Sequence, residues 1–301
     1  MLFVVLFIQA CISVIFPLGK LALAYSGPFF TTGIRMLVGG ALLCLFSWLT
    51  SETKKPSSYE WRLLLILGLT NIFMTNALEF WGLQYMSPLK TCFLYNLAPF
   101  FSALVAYIHL QEKITKKKFI GLCISLLGFI PILYASSPGE AHLSHVSFIS
   151  SAEIALLLAV VGFVYGWIIA QYLARNSKLS VVWSTGLSMI IGGMISLFTS
   201  ACTESWQPAV SQFFPWIYYV TAIIIISNLI CYPLYAQVLK KYTATFLTFT
   251  GLLCPAFAAL FDWMMLGTPV APEFYLATLL VCIGLYFYYQ EDLRQGYLIN
   301  A

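Results

Sequence analysis

Ten stretches of the chain are long and apolar enough to be considered as membrane-spanning α-helices, and this pattern restricts the fold more than any short motif. A spanning helix needs about 20 mostly apolar residues. The stretches run roughly over residues 2–20, 28–49, 61–82, 88–110, 118–135, 152–173, 180–199, 214–237, 243–266 and 274–289. The loops between most of them are short, so the sequence predicts an all-α integral membrane protein with ten transmembrane helices.

The composition agrees with this class of protein. Only 9% of the 301 residues are charged and 61% are hydrophobic, whereas a soluble domain carries about 25% charged residues. The net charge of +4 is small and indicates no nucleic-acid partner. The first residues, MLFVVLFIQACISVIF, lack a basic leader and a small-residue cleavage site. We therefore interpret them as the first spanning helix and not as a removable signal.

The distribution of Lys and Arg predicts the orientation in the membrane, because cytoplasmic loops carry an excess of both. With a cytoplasmic N-terminus, all but three of the 15 basic residues fall in inner loops. The three are Lys20 and Lys90, at outer helix ends, and Arg35, within the second stretch. We therefore expect a multi-pass protein of the inner (plasma) membrane with both termini in the cytoplasm.

One part of the sequence is repeated about 156 residues later, which indicates a duplicated fold. In this alignment Pro99 falls on Pro255 and Leu110 falls on Leu266. Five helices per copy is an odd number, so we expect two inverted five-helix repeats, related by a pseudo-two-fold axis in the membrane plane. The predicted parts are a first repeat at 1–135, an outside linker at 136–151, a second repeat at 152–290 and a cytoplasmic tail at 291–301.

The histidines and cysteines do not form a convincing metal or redox motif. His142 and His145 lie in the linker, but no further ligand clusters near them, and we expect no metal site. Of the eight cysteines, only Cys202 falls in a polar loop, and no CxxC motif occurs. We interpret the other seven as small apolar side chains in helices and expect no cofactor.

Several short motifs occur in the order in which one transporter family carries them. They are Gly82-Leu83-Gln84-Tyr85, Pro99-Phe100, Leu110-Gln111-Glu112-Lys113, Gly121 and Gly128, together with Arg35 in the second stretch. Each motif alone is weak, since apolar helices with Gly and Pro are common. The ordered set resembles the EamA repeat of the drug/metabolite transporter superfamily, and the resemblance covers essentially the whole chain as two repeats.

The resemblance implies a secondary carrier that works by alternating access. It implies a central cavity lined mainly by helices 1, 3, 4, 6, 8 and 9, and a small organic solute such as an amino acid, a nucleotide-linked metabolite or a cationic drug. Some relatives exchange S-adenosylmethionine for S-adenosylhomocysteine. The sequence departs from the family at Thr268, which replaces an acidic residue, and at Lys90, which replaces a small one.

Five ionisable side chains fall at membrane depth: Lys20, Arg35, Glu79, Lys90 and Asp262. Such a group costs about 2.5–3.5 kcal/mol at the bilayer centre on insertion scales, so it persists where it faces a cavity, forms a pair or reaches the interface. The predicted topology places all five in the outer half of the membrane. If they face inward, they form an outward vestibule of mixed charge.

Glu79 shares one face of its helix with Asn71 and Thr75, because the three residues are spaced by four. Asn76 borders this face. The face is either a polar cavity wall, in which Glu79 receives a substrate amine or another cation, or a helix end whose carboxylate reaches water.

Asp262 recurs with Thr248 and Pro255 at a spacing of seven residues, again on one helix face. It is either a cation or proton site, or one half of an ion pair that only fixes helix packing. A paired buried charge does not by itself indicate function.

The basic residues also have alternative roles. Lys20 ends the first helix, where it would hold a substrate carboxylate or extend to the outer headgroups. We interpret Arg35 as structural. Lys90 is a predicted substrate contact, with Tyr95 and Asn96 deeper in the same helix.

Pro99 and Pro255 each free a backbone carbonyl near the middle of the membrane. Symmetric kinks there would frame the binding site or act as hinges. The alternative is a packing kink without mobility, and the two roles are compatible.

Aromatic residues mark the second repeat. Phe163 and Trp167 are four residues apart on the sixth helix, while Asn228, Tyr232 and Tyr235 share a face of the eighth. These rings either stack on a flat or cationic ligand or contact lipid and the protein core.

Together the candidates favour a carrier of a small amphoteric metabolite. Carboxylates, a lysine and many aromatic rings suit a substrate with an amine, a carboxylate and a flat ring, such as an amino acid or S-adenosylmethionine. The alternative is an exporter of drugs or cationic metabolites with the same fold. The sequence has no GxxxxGK[ST] motif, so a counter-substrate or a proton is an expected partner beside the lipid bilayer.

Two other classes are remote alternatives. A membrane-embedded enzyme is disfavoured because the sequence contains neither HExxH nor GxSxG. A channel is disfavoured because the sequence lacks a short filter loop and repeated polar rings.

Overall fold

The chain is folded almost entirely into helices over the part that the structure, a computed structural model, describes. The described residues are 2–110, 115–117, 119–121, 123–124, 127, 143, 145–146, 149–206, 209–242, 247–248, 250–251, 254–267 and 272–295. The helices are α1 Leu2–Leu23, α2 Pro28–Leu49, α3 Ser58–Leu83, α4 Pro88–Leu94, α5 Ala98–Leu110, α6 Ser151–Asn176, α7 Val181–Thr203, α8 Phe213–Val238, α9 Cys254–Leu266 and α10 Pro272–Gln295. A short hairpin pairs β1 His145–Val146 with β2 Ile149–Ser150.

Six of the described helices, α1, α2, α3, α6, α7 and α8, are long and apolar enough to cross a membrane. The chain is therefore a multi-pass, predominantly helical membrane protein. Most of the predicted fifth helix, most of the predicted linker, His142 and Thr268 lie outside the described residues. The last helix is longer than predicted, because α10 continues to Gln295, within the stretch expected to be a tail.

Hydrogen-bonded caps set the starts of the spanning helices. Ser57 and Glu60 form a capping box before α3, and Ser150 and Glu153 form another before α6. Ser87 accepts a hydrogen bond from a backbone N–H in the first turn of α4. These caps satisfy backbone N–H groups that have no partner within the helix.

The fourth predicted helix is interrupted and does not run continuously over 88–110. A 3-10 turn, Tyr95–Leu97, separates α4 from α5, and Pro99 is the second residue of α5. Pro255 lies near the start of the described part of α9. A proline is tolerated in the first turn of a helix, where its missing N–H leaves no bond unmade.

Two helices contain π-helical segments that the sequence pattern did not predict. In α3 the segment is Gly68–Met74, and in α8 it is Ile224–Cys231. Their starts are about 156 residues apart, which is the offset of the sequence repeat. Because π-helical segments are frequent at functional sites, the residues that follow these two segments are candidates for such a site.

Small residues allow the halves of the chain to pack closely. A Cβ added at Gly39 of α2 would lie 2.6 Å from Cβ of Asn228 in α8. A Cβ added at Gly192 of α7 would lie 2.5 Å from Cβ of Ile72 in α3. These two approaches exclude larger side chains, and each brings a π-helical segment against a glycine of another helix.

The loops after α1 and α7 are also joined. Glu204 accepts hydrogen bonds from the backbone N–H groups of Phe29 (2.8 Å) and Phe30 (2.9 Å), at the start of α2. Ser26 Oγ donates to the carbonyl oxygen of Ala209 at 2.7 Å. A carboxylate at a helix N-terminus is favoured by the helix dipole, so Glu204 fixes α2 against the end of α7.

Polar side chains lie inside the bundle, while large apolar side chains cover its outside. Phe198 and Phe214 are 72% and 84% exposed, whereas Gln9, Arg35 and Asn76 are buried. This arrangement suits a protein whose outer surface contacts lipid and whose interior holds polar groups.

Candidate functional site

A cavity lies among the described helices, and its wall is mostly apolar with a few polar groups, as is usual for small-molecule sites. The lining residues are Gln9, Ile12, Ile15, Phe16, Thr75, Asn76, Glu79, Cys92, Tyr95, Ala98, Phe163, Trp167, Ser227, Cys231, Tyr232, Tyr235, Leu247, Thr248, Gly251 and Cys254. They come from α1, α3, α4 to α5, α6, α8 and the approach to α9. These are the helices that the EamA resemblance implies for a central cavity.

The carboxylate of Glu79 belongs to this wall. Tyr95 Oη donates a hydrogen bond of 2.6 Å to Glu79 Oε2. The 3-10 turn between α4 and α5 places Tyr95, and the α-helical part of α3 that follows the π-helical segment places Glu79. An oriented carboxylate in a mostly apolar cavity is suited to a cationic group of a ligand.

A second polar group of the wall is the amide of Asn76. Arg35 Nη2 donates to Asn76 Oδ1 at 2.8 Å, and Asn76 Nδ2 donates to Tyr232 Oη at 2.7 Å. The Arg35 guanidinium also lies 4.2 Å from the ring centroid of Phe80, a cation–π contact. Arg35 thus orients Asn76, and Asn76 links α2 and α3 to α8.

Aromatic rings form the part of the wall contributed by α6 and α8. The Trp167 ring stacks on that of Tyr235 with centroids 4.0 Å apart, and its centroid lies 5.5 Å from that of Tyr232. Phe163 makes an edge contact with Tyr95, with centroids 5.5 Å apart. The ring cluster therefore reaches the tyrosine that binds Glu79.

Polar contacts between α1 and α9 complete the wall. Gln9 Nε2 donates to Thr250 Oγ1 at 2.7 Å, and Ser13 Oγ donates to the carbonyl oxygen of Cys254 at 3.0 Å. The Cys254 thiol donates to Gln9 Oε1 at 3.0 Å. These bonds satisfy the polar groups of α1 against the segment that leads into α9.

Half of the ten predicted substrate-binding residues lie on the cavity wall. These five are Glu79, Asn76, Tyr95, Trp167 and Tyr232. The other five, Lys90, Asn96, Lys20, Asn228 and Asp262, are not among the lining residues. The structure thus brings together the polar face of α3, the turn before α5 and the aromatic faces of α6 and α8.

Lys90 forms a buried ion pair. Its Nζ lies 2.8 Å from Glu153 Oε1, and both side chains are 2% exposed. Glu153 also accepts a hydrogen bond from the backbone N–H of Ser150, as part of the cap of α6. The ion pair joins α4 to the first turn of α6.

Lys20 binds the end of α3. Its Nζ donates to the carbonyl oxygens of Leu83 (2.7 Å), Gln84 (2.8 Å) and Met86 (2.9 Å). The last carbonyls of a helix lack partners within the helix, and a cation there also meets the negative end of the helix dipole. Lys20 therefore ties the end of α1 to the end of α3.

Three further predicted residues are buried within helix contacts. Asn228 Nδ2 donates to the carbonyl oxygen of Arg35 at 3.3 Å and to Met36 Sδ at 3.1 Å. Asn96 and Asp262 are 4% and 3% exposed. Pro99 and Pro255 are buried as well.

Sequence reasoning missed Glu153 as a buried charge and placed Tyr235 only on a face of its helix. The signal for Glu153 is the pattern Ser150-x-x-Glu153 at a helix start, since a capping glutamate lies inside the protein when the cap is buried. Among the described residues, no group of three or more His, Cys, Asp or Glu side chains is arranged to hold a metal ion.

Comparison with known proteins adds a family and named relatives. The model of the EamA-like transporter family matches residues 1–134 and 150–290. The S-adenosylmethionine/S-adenosylhomocysteine transporter of Chlamydia muridarum (strain MoPn / Nigg) is 33% identical over 289 residues, which cover 95% of this chain and 90% of the relative. The transporter of the same name from Chlamydia trachomatis serovar L2 is also 33% identical, over 95% of this chain and 88% of its own.

A solved crystal structure has the same fold. It matches 95% of this chain and 97% of its own, with a TM-score of 0.67 and 16% sequence identity. At this level of identity the likeness concerns the fold alone.

Proposed function

Because the chain belongs to the EamA-like transporter family, we propose that this transporter exchanges S-adenosylmethionine for S-adenosylhomocysteine across the membrane. The observation that carries the proposal is the junction of Glu79, Tyr95 and Phe163 in one cavity. It places a carboxylate beside a cluster of aromatic rings. The relatives named for these two solutes, at 33% identity over most of the chain, support the same choice.

The chemistry of the two solutes matches this junction. Both carry a protonated amine, a carboxylate and an adenosine group, and S-adenosylmethionine has a sulfonium in addition. We propose that Glu79 binds a cationic group of the substrate, with Tyr95 orienting the carboxylate. The faces of Trp167 and Tyr232 supply a surface for the flat or cationic parts, and Asn76 adds a polar contact.

The five predicted residues outside the wall are proposed to hold the helices around the cavity. Lys90 does so through Glu153, and Lys20 through the end of α3. Asn96, Asn228 and Asp262 are buried between helices. Pro99 and Pro255 are proposed as the points at which α5 and α9 tilt during the cycle.

The architecture proposed for this transport is ten helices in two inverted repeats, in the inner membrane with both termini cytoplasmic. The π-helical segments, found at one offset in α3 and α8, support the repeat. So do the approaches of Gly39 and Gly192 to those segments. Alternating access then consists of one half moving against the other around the cavity.

Uptake of labelled S-adenosylmethionine by proteoliposomes tests the proposal. Vesicles preloaded with S-adenosylhomocysteine are compared with empty vesicles and with vesicles that hold methionine. We expect saturable uptake that internal S-adenosylhomocysteine accelerates and internal methionine does not. Uptake that is linear with concentration, or equal in all three preparations, contradicts the exchange.

The same vesicles address the alternative of a cationic-metabolite or drug exporter. A panel of organic cations without an adenosine group is added as competitors. We expect them to leave S-adenosylmethionine uptake unchanged at concentrations at which S-adenosylhomocysteine blocks it. Competition by the cations together with failure of S-adenosylhomocysteine supports the exporter instead.

A further inference from the structure

Two buried hydrogen-bond donors of the aromatic wall have no hydrogen-bond partner among the described residues. They are Nε1 of Trp167 and Oη of Tyr235. Both side chains line the cavity, and they are only 5% and 2% exposed. Their rings stack on each other with centroids 4.0 Å apart, so the two donors belong to one unit that joins α6 to α8.

Other buried polar atoms without a hydrogen-bond partner occur in the described helices, such as Thr32 Oγ1 and Asn71 Nδ2, but among the described residues that line the cavity only this pair has them. Tyr95 Oη donates to Glu79, and Tyr232 Oη accepts from Asn76. Buried polar groups are paired in the large majority of cases, and a buried donor without an acceptor is costly. The unpaired indole N–H and phenol O–H belong to side chains that line the cavity, so we explain them by an acceptor that arrives with the ligand.

The surroundings of the pair define the kind of acceptor. No Lys or Arg is among the described residues that line the cavity, and the faces of the rings carry partial negative charge. A carboxylate placed here would lose its hydration without gaining a cation. A neutral ring acceptor fits better, because its nitrogens accept hydrogen bonds at the edges of the two rings without bringing a charge into the wall.

We propose that Trp167 and Tyr235 form the base subsite of the cavity, where Trp167 Nε1 and Tyr235 Oη donate hydrogen bonds to ring nitrogens of a purine. The identification of the base as adenine rests on the proposed function. The subsite adds the Tyr235 hydroxyl and the Trp167 N–H to the substrate contacts proposed above, and it places the base at α6 and α8. Glu79 and Tyr95 then bind the other end of the substrate.

Binding of adenosine and of its 1-deaza, 3-deaza and 7-deaza analogues to the purified protein tests the subsite. Each analogue replaces one ring nitrogen by a carbon and so removes one acceptor. We expect at least one analogue to bind wild type about fivefold more weakly than adenosine, the effect of one hydrogen bond. In Tyr235→Phe, which keeps the ring and removes the hydroxyl, or in Trp167→Phe, which removes the N–H, that difference disappears.

Tyr232→Phe is the matched control. It removes a hydroxyl three residues away on the same helix, but one that is already paired with Asn76. We expect it to lower the melting temperature of the ligand-free protein and to keep the difference between adenosine and the analogue. Tyr235→Phe removes an unpaired hydroxyl, so the melting temperature should stay the same or rise while adenosine binds more weakly. A purely structural role of Tyr235 predicts the opposite change in melting temperature.

The outcomes separate the subsite from the proposed function. Equal binding of adenosine and all three analogues to wild type overturns the subsite, as does a difference that persists in both Tyr235→Phe and Trp167→Phe. Absence of adenosine binding also overturns it. If the analogues behave as expected but S-adenosylmethionine is not exchanged, the subsite stands and the proposed substrate is wrong. If exchange occurs and the analogues bind equally, only the subsite fails.

Discussion

The hydroxyl of Tyr95 donates a 2.6 Å hydrogen bond to Glu79 Oε2 and so joins the turn between α4 and α5 to α3. Tyr95 is the first residue of the 3-10 turn that interrupts the helix four residues before Pro99. The 3-10 turn therefore supplies the side chain that orients a carboxylate of the cavity wall.

Removal of this hydroxyl by Tyr95→Phe should weaken substrate binding while leaving the ring contacts in place. A hydrogen bond to a charged group contributes about 1.5–3 kcal/mol, so we expect KM for S-adenosylmethionine to rise about tenfold or more. Uptake by proteoliposomes gives the value. Tyr219→Phe, in the first part of α8 where its ring stacks on that of Tyr25, is the control and should transport as wild type does. If KM is unchanged in Tyr95→Phe, the hydrogen bond that orients Glu79 does not contribute to substrate binding.

The ion pair of Lys90 and Glu153 should matter for stability and not for substrate affinity. Glu153→Gln leaves the Lys90 ammonium buried without its carboxylate, which costs about 3–5 kcal/mol. We expect a large fall in the melting temperature in detergent. The double variant Lys90→Met with Glu153→Gln should recover part of the loss, since it leaves no buried cation. If Glu153→Gln has a normal melting temperature but a raised KM, Lys90 acts in substrate binding and not in stability.

Lys20 should likewise act on stability, through the end of α3. Lys20→Met removes three donors to backbone carbonyls, and each carbonyl left unpaired and buried costs about 1–3 kcal/mol. We expect a lower melting temperature and an unchanged KM. Lys178→Met, at an exposed position after α6, is the control. A raised KM at normal stability assigns Lys20 to the substrate carboxylate.

The exchange should respond to membrane potential. S-adenosylmethionine carries one positive charge more than S-adenosylhomocysteine, so a one-for-one exchange moves one net charge in each cycle. A charge that crosses 100 mV changes its energy by about 2.3 kcal/mol. We therefore expect an inside-negative potassium diffusion potential to accelerate S-adenosylmethionine uptake. Insensitivity to the potential means that another ion, such as a proton, compensates the charge.

The sequence predicted the parts of the fold that apolar length and helix periodicity determine. The stretches at 28–49 and 180–199 nearly coincide with α2 and α7. The spacing of Asn71, Thr75 and Glu79 placed polar residues on one face, and the last two line the cavity. Such local patterns are sufficient because a helix face repeats regularly along the chain.

Other features depend on contacts that no local pattern records. The π-helical segments of α3 and α8 lie in apolar sequence whose pattern is that of an ordinary α-helix. The ion pair of Lys90 with Glu153 was not predicted, because the two residues are distant in the sequence. That the Tyr235 hydroxyl has no hydrogen-bond partner can be recognised only from the positions of the side chains around it. Sequence periodicity gives the face of a helix, but not what lies opposite.

The measurement that tests the account most directly is exchange by Glu79→Gln, since the amide keeps the size of the side chain and removes its charge. The variant is first checked for a wild-type melting temperature and then for uptake of labelled S-adenosylmethionine against internal S-adenosylhomocysteine. We predict a folded protein in which KM for S-adenosylmethionine rises about tenfold or more, the effect of a lost charged contact. Wild-type KM and rate in Glu79→Gln contradict the assignment of the substrate to this cavity wall.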